Sequence, residues 1–333
     1  MTDRRTFLAS VSAAGTALVA GCGSGGSDPT DDTETISSGS RIRAPLVGLH
    51  ADDLDLEGRQ STAVATAMAE ELGIDRIDVH VRVGSRTVEV VREDIDTAEF
   101  VEALGRLAID AEAGDVDTGV TDQTRDTVVE VLRGRLDRLE LDGGTVSTTD
   151  DGLVVVEIPD TESEQAREIV TDRGTVRIVA EVTDPETEET TNTTVLTNED
   201  FAAVHEVGQR ENGGWEVPVT VIDEAAQRFQ NQLNDLGFTS DDGIGNCDRT
   251  RSGGPGSYCL LTKSDGDLVR ANSMGPGLAE SLAEGTWAEQ AAFTIGAENA
   301  EQAEEIKRNL EVGSLPTTLD LDASSAEVTQ IGA

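Results

Sequence analysis

From residue 41 onward, short stretches in which apolar and polar positions alternate are separated by longer ones in which apolar residues return every three or four positions. The first pattern predicts strands and the second amphipathic helices. Residues 44–49 (APLVGL) read as a strand, 59–72 as a helix that Gly73 closes, and 77–83 with 87–91 as a hairpin about Gly84-Ser85. Residues 97–107 read as a helix with Phe100, Val101, Leu104 and Leu107 on one face. A second unit repeats the idea. A helix over 121–141 aligns Val128, Leu132, Leu136 and Leu139, and strands at 145–148 and 153–158 follow Gly143-Gly144. Thr161 and Glu164 form a capping box for a helix over 162–172, and a strand over 176–182 follows Gly174. This succession predicts an α+β fold of antiparallel sheets with helices on one face, of the ferredoxin-like kind.

Residues 183–194 (TDPETEETTNTT) are polar and without period, so they read as a linker or a long hairpin tip, with the acidic linker placed at 185–194. Beyond it come a strand at 217–221, a helix over 223–236 ended by Gly237, a loop holding two cysteines, and strands near 258–262 and 268–269. Helices over 278–284 and 297–312 follow, the last ending at Gly313 before Leu315-Pro316. The chain divides into α+β regions at 41–184 and 195–322, with a tail at 323–333.

The apolar run between Phe7 and Gly21 needs a different reading. As a helix it would reach roughly 22 Å, short of the ~30 Å of a bilayer core. It follows Arg4-Arg5 and ends at Val19-Ala20-Gly21-Cys22. Basic start, short apolar middle and small residues before a cysteine describe a signal peptide over residues 1–21, not a core helix. Arg4-Arg5-Thr6-Phe7-Leu8 resembles a twin-arginine signal, and the residues before Cys22 resemble a lipobox, which makes Cys22 the candidate lipidation site. Residues 22–40, rich in Gly, Ser, Asp and Thr, read as a flexible tether. The expected location is the outer face of the cell membrane, held there by lipid.

Charge narrows the partners. Acidic residues outnumber basic ones 66 to 25, giving a formal charge of −41. No basic face is visible, which excludes nucleic acid as a partner. Periodic apolar segments argue against disorder, so the carboxylates point to a protein adapted to high salt, where a Debye length of about 3 Å mutes their repulsion. Cys247 and Cys259, twelve residues apart, are expected to form a disulfide outside the cytoplasm. The rival, a metal site, would need two more soft ligands, and His50, His80 and His205 stand apart without ligand spacing. Asn192-Thr193-Thr194 is a glycosylation acceptor triplet.

No catalytic constellation is legible: there is no Gly-x-Ser-x-Gly, no His-Glu-x-x-His and no Walker loop. Two Trp, one Tyr and six Phe leave little material for a sugar platform or an apolar ligand pocket, and Trp215 and Trp287 read as packing residues. A non-enzymatic chain without cofactor or metal is the expectation.

Several stretches resemble the large exoplasmic domain of SecD, a subunit of the SecDF protein-export complex, in its halophilic archaeal form. Residues 38–49 (SGSRIRAPLVGL) are similar to the segment after that family's first membrane helix. Residues 131–137 (VLRGRLD) look like its helix, 154–159 (VVVEIP) like its strand into a Pro turn, and 172–177 (DRGTVR) like the strand after the capped helix. Phe238-Thr239, residues 243–247 (GIGNC), 258–262 (YCLLT) and 274–279 (MGPGLA) resemble the head region, and Gly313-Ser314-Leu315-Pro316 the closing turn. The resemblance runs from Ser38 to about Asp322 and implies base-like and head-like regions. In the family, six membrane helices couple ion flow to head movement; none is legible in this sequence, and the resemblance implies that lipid on Cys22 stands in for the first. Asp160 follows Pro159 where the family commonly has Gly.

The resemblance implies an accessory export factor that binds unfolded exported polypeptide or docks on SecDF or Sec channel subunits. Alternatives are a SecD-derived surface lipoprotein without an export role, and a solute-binding lipoprotein, which would need two lobes around a pocket.

Overall fold

The computed structural model describes residues 36–210, 213–247 and 257–332. The signal peptide (1–21), Cys22 and the tether as far as residue 35 lie outside the described residues.

The chain enters at β1 (Gly39–Ala44) and leaves it for a small unit of its own: β2 (Leu49–Ala51), α1 (Ser61–Leu72), β3 (Val79–Arg82), β4 (Thr87–Val90), α2 (Thr97–Arg106) and β5 (Val116–Thr118). Its antiparallel sheet has the order β3-β4-β2-β5. Strand positions Leu49, Ala51, Val79, Val88 and Val90 bury against Val64, Met68, Phe100 and Leu104 of the two helices. Gly73, at φ +66°, ends α1 by bonding back to the Ala69 and Glu70 carbonyls, and Asp96 caps α2 in a box with Glu99.

The base resumes with α3 (Asp122–Arg138), β6 (Thr145–Thr148), β7 (Val154–Pro159) and α4 (Ser163–Thr171). The head then runs through β8 (Val176–Thr183), β9 (Thr190–Leu196), β10 (Phe201–Val204), β11 (Gly208–Gln209), β12 (Trp215–Val221), α5 (Asp223–Asp235), β13 (Tyr258–Ser264), β14 (Asp267–Asn272), α6 (Pro276–Ala283), β15 (Ala292–Ala297) and α7 (Ala300–Val312). The final strand β16 (Glu327–Ile331) returns to the base, whose order is β16-β1-β7-β6. Ile42, Val154, Val156 and Ile158 of that sheet pack on Val128, Leu132 and Leu136 of α3 and on Ala166 and Val170 of α4. The head has one sheet of order β14-β13-β8-β9, and a second in which β12 pairs with β10 and β11 on one side and β15 on the other. α5, α6 and α7 complete its core, where Phe229 meets Trp287 at 4.9 Å between ring centroids.

Base and first unit therefore each run β-α-β-β-α-β, and both the first unit and the head are insertions into the base. The α+β class is as expected, but the assignment of strands is not. The strand read at 176–182 as the last of the second unit instead opens the head by pairing β13. Its place in the base is filled by β16, which lies in the stretch read as a tail, and β1 supplies the first strand. The strand read at 44–49 is split between β1 and β2. Gly39 and Ser40, read as tether, are paired on both sides, and Ser40 is wholly buried. The acidic linker at 185–194 is a hairpin within one sheet: residues 184–189 make its tip, and the rest belongs to β9. For β1, β8 and β16, pairing between distant strands, not local pattern, decides the outcome, whereas the 184–189 tip is the hairpin reading of that stretch.

One turn differs locally from expectation, and a second keeps a Gly-like conformation at a non-Gly residue. No capping box forms at Thr161 and Glu164; the N-cap is Glu162, and the Thr161 hydroxyl donates to the Pro159 carbonyl at 2.9 Å. Asp160 adopts φ +49°, the left-handed conformation that suits Gly, and its N–H donates to the Ser38 carbonyl at 3.1 Å.

Candidate functional site: the joint between base and head

The chain crosses from base to head at residues 172–175 and back at 313–317. Gly174 at φ +64° makes the first crossing possible, for a Cβ there would lie 2.9 Å from the Arg135 Nη2 and 3.1 Å from the Asn309 Oδ1. Arg135 is buried in α3 and donates to the Ile169 carbonyl at 2.9 Å and to the Asp172 carbonyl, so a cation holds the open carbonyls at the end of α4. Burial pushes its pKa down, opposed by the nearby carboxylates of Asp172 and Asp265.

From the head side, buried Asn198 grips the same crossing. Its Nδ2 donates to the carbonyls of Gly174 (3.1 Å) and Asn309 (3.0 Å), and its Oδ1 accepts the Val176 N–H at 2.7 Å. One amide thus ties the outgoing passage to α7, the element that leads back.

Arg173 ties three bodies. Its carbonyl accepts the Leu315 N–H at 2.8 Å, and its Nη2 donates to the Pro316 carbonyl at 2.8 Å. Its Nη1 donates to the Oδ1 of Asp78 in the first unit, a side chain 4% exposed that also lies 3.8 Å from the Arg92 guanidinium. His80, two residues after Asp78, has its Nε2 buried without a hydrogen-bond partner among the described residues; burial pushes its pKa down, against the pull of Glu89.

Asp265 reaches the joint from the turn between β13 and β14. Its Oδ1 accepts from the Thr175 N–H at 2.9 Å and hydroxyl at 3.1 Å. Burial raises its pKa to about 6, reinforced by the hydrogen bond and like charge of Asp172, although the residue as a whole is exposed and solvent screens part of this effect. A cleft of about 400 Å³ opens here, lined among others by Asp75, Asp78, Arg92, Arg173, Arg177 and Asp265. Arg177 pairs with Asp75 at 2.8 Å.

These groups offer no nucleophile with its base. They form a joint of hydrogen bonds and ion pairs, set beside apolar packing of Val312 and Leu315 on the base core. Among the described residues no group of three or more His, Cys, Asp and Glu is placed to hold a metal ion.

The residues singled out by sequence lie elsewhere. Cys247 and Cys259 are joined, with Cα atoms 4.8 Å apart, and Cys259 is buried beside Val179 and Leu261. Asn192 is exposed on β9. Sequence reasoning missed Arg135, Asn198, Asn309 and Asp265. A signal existed for two of them: Arg135 falls in the apolar stripe Val128, Leu132, Leu136, and Asn309 in the stripe Ile306, Leu310. A polar group in such a stripe must find a buried partner.

No protein-family model matches the chain. The SecD protein-export membrane proteins of Haloquadratum walsbyi and Haloferax volcanii are 33% and 34% identical to it over 302 and 305 residues, 88% and 87% of this chain. The chain spans 57% and 58% of those relatives' own length. SecD of Methanolacinia petrolearia is 26% identical over 273 residues, 80% of this chain and 50% of that protein. Two solved SecDF structures align with TM-scores of 0.43 and 0.45 at 17% and 16% identity, covering 65% and 90% of this chain and 96% and 32% of theirs. No described helix is long and apolar enough to cross a membrane.

Proposed function

The chain is SecD-like over nearly nine-tenths of its length, and from that premise we propose that it is an extracytoplasmic lipoprotein acting as an accessory factor in protein export. The observation that carries this reading is the one-third identity to the SecD proteins of halophilic archaea over nearly nine-tenths of the chain. Anchored by lipid on Cys22, the protein sits on the outer face of the membrane. There its head binds exported polypeptide, or its surface docks on SecDF or Sec channel subunits. It carries out no bond-making chemistry of its own and takes no cofactor. The joint fits this role, since polar ties through Arg173, Asn198 and Asp265 let head and base separate by exchanging hydrogen bonds with water. The formal charge of −41 suits a high-salt environment, as does kinship with halophilic proteins; circular dichroism showing full folding in low salt, unchanged by added KCl, would refute that part.

The test is capture of the tagged protein from membranes, crosslinked in molar salt, with partners identified by mass spectrometry. Sec channel or SecDF subunits recovered with exported chains support the export role, and recovery of neither refutes it. A mature protein lacking lipid on Cys22 refutes the anchor alone.

A further inference from the structure

A sheet edge exposes unpaired N–H and C=O groups and invites another strand unless something blunts it. Among the described residues, nearly every edge here is blunted. At β6 the Val146 carbonyl is taken by Arg133, from Nε at 3.0 Å and Nη2 at 2.6 Å. β10 is broken by a register shift between Phe201 and Ala203, and β11 is two residues long. β14 carries Asp267 and Arg270, and the Arg270 side chain lies against Gly296 of β15. β3 carries Arg82, β5 Asp117 and β16 Glu327.

The two remaining edges, β9 and β15 (AFTIGA), carry neither charge nor Pro, but Ile295, Gly296 and Ala297 of β15 are buried and Arg270 lies against Gly296, which leaves β9 the more open. Its seven residues, TTNTTVL, include no charge and no Pro, and it pairs with β8 alone. The one register shift sits at its buried end, opposite Ile178 and Val179, so Thr190 to Thr194 form a regular strand that is largely exposed. By its backbone it is the best template for foreign strands in the described fold.

The same five residues contain the only Asn-x-Ser/Thr triplet of the chain, Asn192-Thr193-Thr194. Asn192 stands opposite Glu181 and Thr194 opposite Val179. By strand alternation their side chains share the sheet face of Val179, Cys259 and Leu261, away from the head's main core. Both residues are exposed. A sugar on Asn192 would be bulky and hydrated, and would obstruct the path of an added strand.

We propose that Asn192 carries an N-linked oligosaccharide whose role is to close the open edge of β9. The donor is an oligosaccharide on a lipid phosphate or diphosphate. The amide Nδ2 displaces the lipid phosphate from the sugar's anomeric carbon, so a C–N bond forms, the C–O bond to phosphate breaks, and the amide proton leaves to a base of the transferase. Because β9 is held on one side only, the triplet reaches such an enzyme by peeling from β8 without opening the core. The inference rests on the outer-face placement proposed above.

The test uses full-length protein from membranes of its own cells. Its location is read by protease treatment of intact cells, and its tryptic peptide 178–210 by mass spectrometry. Protease sensitivity with the peptide heavier by sugar units, and a return to bare mass in Asn192→Gln and Thr194→Val, is the expected result. Bare mass in a protease-sensitive protein overturns the modification and leaves the export reading standing. Protein found only inside the cell overturns both. For the shielding role, Asn192→Gln protein that stays folded by circular dichroism should form larger species, or bind extended peptide at β9, where the native protein does neither. Unchanged size and no peptide binding overturn that role, and peptide binding at β9 by the native glycosylated protein overturns it too.

Discussion

The backbone carbonyl of Arg173 accepts the N–H of Leu315 at 2.8 Å, so the two passages of chain between base and head are tied directly to each other. Around that bond, the Arg173 side chain holds Asp78 of the first unit, and Asn198 holds Gly174 and Asn309. The head therefore leaves the base through one hydrogen-bonded joint, and its stability should depend on a few polar residues.

Arg173→Ala removes the side-chain bonds to Asp78, to the Pro316 carbonyl and, from Nε at 3.3 Å, to the Leu315 carbonyl, and leaves the backbone bond from the Leu315 N–H in place. Asp78 keeps only the longer contact to Arg92 while it remains buried. Loss of one partner from a buried ion pair costs about 3–5 kcal/mol, and the exposed side of this arginine places the effect toward the lower end. Chemical denaturation in molar salt should show it, and a loss under about 1 kcal/mol would mean that the pair behaves as a surface ion pair.

Gly174→Ala puts a side chain at φ +64° with its Cβ against Arg135 and Asn309. Strain of this kind costs on the order of 1–3 kcal/mol. Gly105→Ala, where α2 is open and no atom lies within 4 Å of the new Cβ, should be neutral or mildly stabilising. Similar thermal midpoints for the two variants would count against the tight crossing.

Asp265 carries the pH dependence of the joint. Its folded pKa of about 6 lies above the ordinary 3.8, so the folded protein binds this proton more tightly than the unfolded chain does. Its stabilising contribution is complete below the ordinary value and declines as pH rises toward 6. His80 acts oppositely, because its depressed pKa makes acid unfavourable to the fold below about pH 6.5. The informative quantity is the difference between native protein and Asp265→Asn, an isostere that still accepts from Thr175. The variant should be the more stable at pH 7, and the gap should shrink toward pH 4. A constant gap would show that Asp265 does not titrate differently on folding.

Reduction of Cys247–Cys259, or the double change to Ser, removes a crosslink closing a short loop and buried beside Val179 and Leu261. The chain-entropy estimate for a loop of this size is roughly 3 kcal/mol. Denaturation with and without reductant in molar salt reads it. Equal midpoints would mean that the crosslink constrains the unfolded chain little.

Much of this protein was written in its periodicity. The seven α-helices among the described residues stand within a few residues of where the 3.6-residue pattern puts them, because burying one apolar stripe is a local instruction. The hairpin of β3 and β4 was legible for the same reason, with alternation on both sides of a Gly-Ser turn. The charge and the two neighbouring cysteines also followed from composition and spacing.

Which strand lies beside which was decided only by tertiary structure. β1 joins β16, whose Ile331 sits opposite Gly39 across nearly the whole chain, and β8 leaves the unit that precedes it to pair with β13. Backbone hydrogen bonds carry no side-chain code, so a strand's neighbour is fixed by what the assembled faces can bury. The joint was hidden for a related reason. Arg135, Asn198 and Asn309 have no meaning as isolated letters, and each acquires one only when folding removes water and leaves a carbonyl or an N–H within reach.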